Sequence, residues 1–388
     1  MTDHEIKRVL DYLQGERQRM VELLERLALA ESPSDDPAAV TPLLALLAFE
    51  LEQGGLFVRR LRGRVSAGLL YARPRKRNRR RPLQLLVGHC DTVWPVGTLR
   101  QMPVRVEGDV LHGPGVLDMK GGLAQMIFAL RALKELDLHP PADCAVVINS
   151  DEEIGSPDST PHIRRLARCA ARAFILEPAF GRAGKLKTAR KASGSFSITV
   201  KGRAAHAGLN PEEGASAILE MSHQIQRLFA LNDAARGISV NVGTIDGGLR
   251  ANVICAEVRA NVDVRVRTQQ DAAEVEGVID QAPMEPSPRN QALWRQAQEL
   301  GRQLGLQLEQ AFVGGASDGN TTSRYTATLD GLGAVGDGAH ASHEQVLIPQ
   351  LIDRCALLML LLLAPLSTDA HGATQQGHAP SAPFVEHR

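Results

Sequence analysis

The chain has 388 residues and carries 44 Lys and Arg against 44 Asp and Glu, so its formal net charge is zero. That balance argues against a dedicated nucleic-acid binder, and nine Phe, three Tyr and two Trp are too few for a base-stacking surface. With 44% hydrophobic and 23% charged residues, the composition is that of a soluble globular protein with an aliphatic core, long enough for two or three domains.

Ile6, Leu10, Leu13, Met20, Leu24 and Leu27 recur at helical spacing and predict one long amphipathic helix. A second helix is expected over 39–54, stopped by Gly54-Gly55. Short apolar runs at 68–72, 83–88, 145–149 and 173–176 predict strands. The runs at 83–88 and 145–149 are apolar on consecutive positions, as in strands buried on both faces. Between them lies a helix over 121–136, with Leu123, Ile127, Leu130 and Leu133 on one face. Strands alternating with helices indicate an α/β domain. The run Arg73–Pro82 holds seven Lys and Arg in ten residues. It is expected to be a solvated hairpin loop; the alternative is contact with nucleic acid or an anionic membrane.

After residue 190 the pattern changes. Phe196, Ile198 and Val200 alternate with polar residues, and so do the apolar residues from Ile254 to Val266. Period-2 alternation marks strands with one wet and one buried face. A helix over 215–232 would cover the buried face. The expected division is therefore 1–190 and 282–366 as one α/β domain, with a smaller α+β domain inserted at 191–281. Pro283, Pro286 and Pro288 mark the return, a helix follows over 290–304, and residues 356–364 form a buried helix. That last stretch is well short of the roughly 18 residues a membrane span needs. Residues 367–388 are polar and expected to be disordered. Five cysteines without a C-x-x-C pair, and no apolar leader in Met1–Leu10, predict reduced thiols and a cytoplasmic location.

Five clusters carry candidate chemistry: His89 with Asp91, Asp118 in a Gly-rich turn, Asp151-Glu152-Glu153, Glu177, and His340. Three follow a buried strand directly, where open α/β sheets bind ligands. Asp91 stands two residues past His89 and can hold its imidazole. Glu152 and Glu153 are adjacent and point differently, so one can ligate a metal while the other faces a bound water. Singly, a strand-end His is commonly a structural hydrogen-bonder and an acidic triplet a solvated loop. Together they form a His/carboxylate set that suits two Zn²⁺, or less specifically Co²⁺ or Mn²⁺. A rival pattern is Gly315-Ala316-Ser317-Asp318-Gly319, which satisfies G-x-S-x-G with Asp337 and His340 downstream. A nucleophile elbow needs a strand before it and a helix after it. Phe312-Val313 is a meagre strand and 320–322 a poor helix start, so a backbone loop at Gly315 contacting substrate fits better, with Asp318 structural.

Seven ordered stretches, GHCDTVWPVGT, GPGVLDMKGG, SDEEIGS, LEPA, KGRAAHAG, GGASDGN and GAHASHE, carry a resemblance. From about residue 15 to 365 the chain resembles the dinuclear zinc peptidases, which include glutamate carboxypeptidase, acetylornithine deacetylase and succinyl-diaminopimelate desuccinylase. LKTARK and DGLGAVGDGAH favour the carboxypeptidase G branch. The resemblance implies a mixed central sheet flanked by helices, plus an inserted ferredoxin-like lid and dimerisation domain. It implies that Asp118 bridges two zinc ions before a cis peptide to Met119. His89 and Glu177 would hold one ion, Glu153 and His340 the other. Asp91 would orient His89, and Glu152 would be the general base for a water bridging the ions. His206 would come from the partner subunit of a homodimer to polarise the scissile carbonyl. Asn252 and Arg265 match positions that line the substrate site.

The implied activity is hydrolysis of the amide bond to a C-terminal, acidic amino acid in a small peptide or N-acyl amino acid. An N-acyl amino acid deacylase is the alternative, with a Ser317 hydrolase or a non-catalytic metal-binding protein more remote. His343 competes with His340, but the family pattern His-x-x-x-Glu runs from His340 to Glu344. The plainer readings are a turn residue for His206 and a strand-face charge paired with Asp263 or Glu257 for Arg265. The inserted domain departs from the family in its short second half, where only 269–277 can be helical. Gln281 also stands where relatives often carry a basic residue.

Overall fold

The computed structural model describes residues 2–78, 80–275 and 279–366, so the expected disordered tail at 367–388 lies outside the described residues. A six-stranded mixed sheet organises the larger part. Its order is Leu56–Leu61, Leu69–Pro74, Asp143–Asn149, Leu83–His89, Ala170–Ile175 and Ala327–Leu329. The last four run parallel, and the first two join antiparallel. Leu83–His89 and Asp143–Asn149 are buried at every position. Successive side chains serve opposite faces. Leu86, Val146 and Ile148 meet the helices Gly121–Glu135 and Ile348–Leu363, while Leu85, Val87, Ala145 and Val147 meet Ile163 and Ala167 of Thr160–Ala167. The sheet is thus covered on both sides, as its unbroken apolar runs predict.

Three expectations change. The single N-terminal helix is two, Asp3–Gly15 and Arg17–Leu29, broken at Glu16 (φ −92°, ψ 1°). Gly15 ends the first helix weakly. Apolar residues continue on the same face beyond the break, so periodicity alone does not register it. The basic run at 73–82 does not close a hairpin. Its flanking strands both pair with Asp143–Asn149, which lies between them. And 318–323 is helical, because Ser317 and Asn320 form a capping box at its start.

The second sheet is antiparallel, ordered Ser239–Gly247, Glu257–Val266, Ala192–Lys201. Helix Ala217–Phe229 lays Ala217 and Met221 on Val258 and Ala260. Strand Ser239–Gly247 escapes sequence reading because it is a largely exposed edge with a register shift between Val242 and Thr244. Among the described residues the sheet has three strands, fewer than a ferredoxin-like βαββαβ unit supplies, in keeping with the short second half. The chain enters this sheet through Leu186–Arg190, with only Lys191 before Ala192, and returns alongside: Gln281 pairs with Ser193 and Met284 with Arg190. All five cysteines are free, and no described helix is long and apolar enough to cross a membrane.

Candidate active site

The carboxyl ends of three neighbouring parallel strands converge. His89 is the last residue of Leu83–His89. Glu152 and Glu153 open the single helical turn that follows Asp143–Asn149. Glu177 comes two residues after Ala170–Ile175. Asp118 reaches the same point from the turn before helix Gly121–Glu135, and His340 from the loop after Gly336–Asp337. Gly122 explains part of the Gly-rich turn. A Cβ there would lie 2.0 Å from the Leu176 carbonyl oxygen, so only glycine lets the helix start press against the Glu177 loop.

Asp118 divides its carboxylate between two imidazoles. Its Oδ1 lies 3.2 Å from His89 Nε2, and its Oδ2 lies 3.4 Å from His340 Nε2. Glu177 Oε1 is 3.3 Å from His89 Nε2, and Glu153 Oε1 is 3.2 Å from His340 Nε2. Donor atoms of His89, Glu152 and Glu177 all lie within 4.8 Å of one another, and so do those of His89, Asp118 and Glu153. Glu152 therefore stands inside the cluster, placed either to ligate or to take a proton. The Asp118–Met119 peptide is cis. His340 adopts φ 58°, a left-handed conformation uncommon outside glycine.

The electrostatics follow from crowding. Burial, and then the nearby Glu177 carboxylate, push Glu152 well above the usual carboxylate range. Asp118 is held low: burial opposes this, but His340 and His89 outweigh it. Contacts with Asp118 and Glu153 raise His340 to about 10. Asp91 accepts from the Ser34 hydroxyl (2.6 Å) and from the amides of Glu152 (3.3 Å) and Glu153 (3.2 Å). Its backbone carbonyl is the nearest partner of His89 Nδ1, at 3.0 Å, with its carboxylate at 3.5 Å. So Asp91 fixes both the imidazole and the turn carrying the two glutamates. Imidazoles and carboxylates converging without a thiol fit a divalent cation of the Zn²⁺, Co²⁺ or Mn²⁺ kind.

Residues 85–364 match the sequence profile of peptidase family M20/M25/M40. The chain belongs to this family. It is 32% identical over 259 residues to carboxypeptidase G2 of Pseudomonas sp. (strain RS-16), covering 66% of this chain and 62% of that relative. It is 27% identical over 383 residues to succinyl-diaminopimelate desuccinylase of Caulobacter sp. (strain K31), covering 87% and 95%. The M20 family metallo-carboxypeptidase Sso-CP2 from Sulfolobus solfataricus shares the fold, with a TM-score of 0.71 at 15% identity, over 90% of this chain and 98% of that one.

Not every candidate of this M20 chain joins the cluster. His206, Asn252 and Arg265 lie on the second sheet and its loops, and none hydrogen-bonds to a cluster residue. His206 is exposed, and its Nδ1 accepts the amides of Gly208 and Leu209, both at 3.1 Å. Arg265 Nε is paired with Asp263, at 3.0 and 2.9 Å. Ser317 is fully buried; its hydroxyl donates to Asp330 Oδ2 (2.7 Å) and accepts the Gly319 amide (3.0 Å). His343 makes no hydrogen bond to the cluster.

Two groups without an assigned role from the sequence shape the site. Glu344 is buried and accepts the amides of Gly115 (2.8 Å), Leu117 (2.9 Å) and Asp118 (3.0 Å), plus the Trp94 indole (3.0 Å), so it holds the turn that presents Asp118. Arg190 is buried against Glu177 and Asp330. Both residues stand in the motifs, yet sequence patterning gives no sign of which side a buried charge faces.

Proposed function

We propose that this chain is a zinc-dependent amidohydrolase of the glutamate carboxypeptidase type, which releases a C-terminal, acidic amino acid from a small peptide or N-acyl conjugate. The division of Asp118 between His89 and His340 is the observation that carries this reading. His89, Glu177 and Asp118 would hold one Zn²⁺; Glu153, His340 and Asp118 the other. When bound, the pair supplies Lewis acidity and lowers the pKa of a water from 15.7 towards about 7. Glu152 accepts the proton of the attacking water and returns it to the leaving amine nitrogen. Its carboxylate makes no hydrogen bond within the described residues, which leaves both oxygens available to take and give a proton.

Residues 191–281 act as lid and dimerisation domain, and a second copy of the chain supplies His206. With Nδ1 accepting two amides, the ring proton belongs on Nε2, where it can donate to the carbonyl oxygen as charge develops. The terminal nitrogens of Arg265 make no hydrogen bond within the described residues, so they are free for a substrate carboxylate; Asn252 and the Gly315 backbone are the further proposed substrate contacts. The five free thiols suit a cytoplasmic setting.

Metal-stripped protein, with and without added Zn²⁺, should be tested on glutamyl conjugates and other N-acyl amino acids. Zinc-dependent cleavage, fastest on conjugates with a free α-carboxylate, is the expected result. Hydrolysis that survives metal removal would sink the reading, and no hydrolysis with zinc bound would favour a non-catalytic protein. A deacylase of the acetylornithine type is the second reading, favoured by the alignment that spans 95% of the desuccinylase; it predicts preference for acyl-amine substrates. For the serine alternative, Ser317→Ala decides. We expect turnover to persist and stability to fall by about 1 kcal/mol through loss of the helix cap. A collapse in rate with metal still bound would restore Ser317 as nucleophile.

A further inference from the structure

Strand Leu186–Arg190 pairs with Gln310–Val313, and the register slips by one residue between Lys187 and Ala189. Lys187 and Arg190 are three apart, so a regular strand would send them to opposite faces. The extra residue at Thr188 brings both to Glu177. Arg190 Nη2 lies 3.2 Å from Glu177 Oε2, and Lys187 Nζ lies 3.8 Å from the same oxygen. The other oxygen, Oε1, faces His89. Arg190 is itself immobilised. Its Nε and Nη2 grip Asp330 at 2.7 and 3.1 Å, and its Nη1 donates to the Gly315 carbonyl at 2.9 Å. Bulges commonly re-aim side chains beside active sites.

We propose that Arg190, helped by Lys187, is a positioning residue that reserves Oε2 of Glu177, so that this ligand offers its metal a single oxygen. The inference rests on the metallohydrolase reading. Catalytic zinc sites keep three protein ligands and an open position. A Glu177 free to turn would present both oxygens and crowd the position where water or substrate must sit. The same guanidinium ties the ligand to the Gly315 backbone, so the ligand and the proposed substrate loop hold one geometry.

The test is a calorimetric zinc titration of metal-free protein. Removing Arg190 alone would strand the buried Asp330 charge and threaten the fold. The double variant Arg190→Gln/Asp330→Asn removes one charge of each sign and leaves the net charge unchanged. Wild type should bind two ions. In the folded double variant the intrinsic affinity for one ion should fall by about 10–100-fold, the usual effect of losing a partner that orients a ligand, while the intrinsic affinity for the other stays. Arg190→Lys keeps the charge without the fork and should give a smaller loss at the same ion. If the double variant does not fold, Arg190→Lys is decisive: a weakened ion supports the proposal, and wild-type affinities overturn it. Wild-type affinities in the folded double variant overturn it equally, and leave the metallohydrolase reading intact. A wild type that binds no zinc defeats both.

Discussion

Replacing Glu152 by glutamine is expected to lower kcat by about 10²–10⁴-fold, the range that proton transfer by a positioned group contributes. The substitution keeps the shape of the side chain and removes its basicity. Nothing in the described fold depends on that carboxylate, which makes no hydrogen bond there, so folding and metal content should be unchanged. Steady-state kinetics alongside elemental analysis reads both. The pairing matters because Glu152 lies within ligand distance of His89 and Glu177. Loss of an ion in the variant would make Glu152 a ligand, and an undiminished kcat would remove it from the chemistry.

Asp118→Ala should have the broader effect. It takes a donor from both proposed ion sites, since each oxygen faces a different histidine. The loss in zinc affinity should exceed the roughly 10–100-fold that follows removal of an outer partner, and turnover should fall to background. The fold should survive, because Glu344 holds the turn through backbone amides and not through the Asp118 side chain. Circular dichroism checks the fold, and equilibrium dialysis against zinc checks the site. Two tightly bound ions in a folded Asp118→Ala protein would show that the ligand set is wrongly drawn.

Much of the architecture was legible because buried strands and amphipathic helices leave periodic traces. Leu83–His89 and Asp143–Asn149 are apolar throughout since both faces are covered, and the chemistry-bearing residues follow the strand ends. The order of strands was not legible. That Asp143–Asn149 inserts between Leu69–Pro74 and Leu83–His89 depends on long-range pairing, which turns the basic run into a connection and not a hairpin. The edge strand Ser239–Gly247 was silent because exposed edges need no alternation. At the site, the motif residues His89, Asp118, Glu153, Glu177 and His340 converge. The supporting charges were hidden: a bulge at Thr188 reverses the facing that strand parity predicts for Lys187 relative to Arg190. His206, Asn252 and Arg265 lie on the second sheet and its loops and make no hydrogen bond to the cluster.

The shared carboxylate of Asp118 has a thermodynamic consequence. In the proposed two-zinc site, ions that draw on one aspartate would not fill independently. Whatever factor the first imposes on the second, the second imposes on the first, because linkage between binding free energies is reciprocal. Zinc affinity at the proposed site would then be a property of the pair, set by two intrinsic constants and one coupling term, and any change in Asp118 or in the turn that Glu344 holds would move both occupancies together.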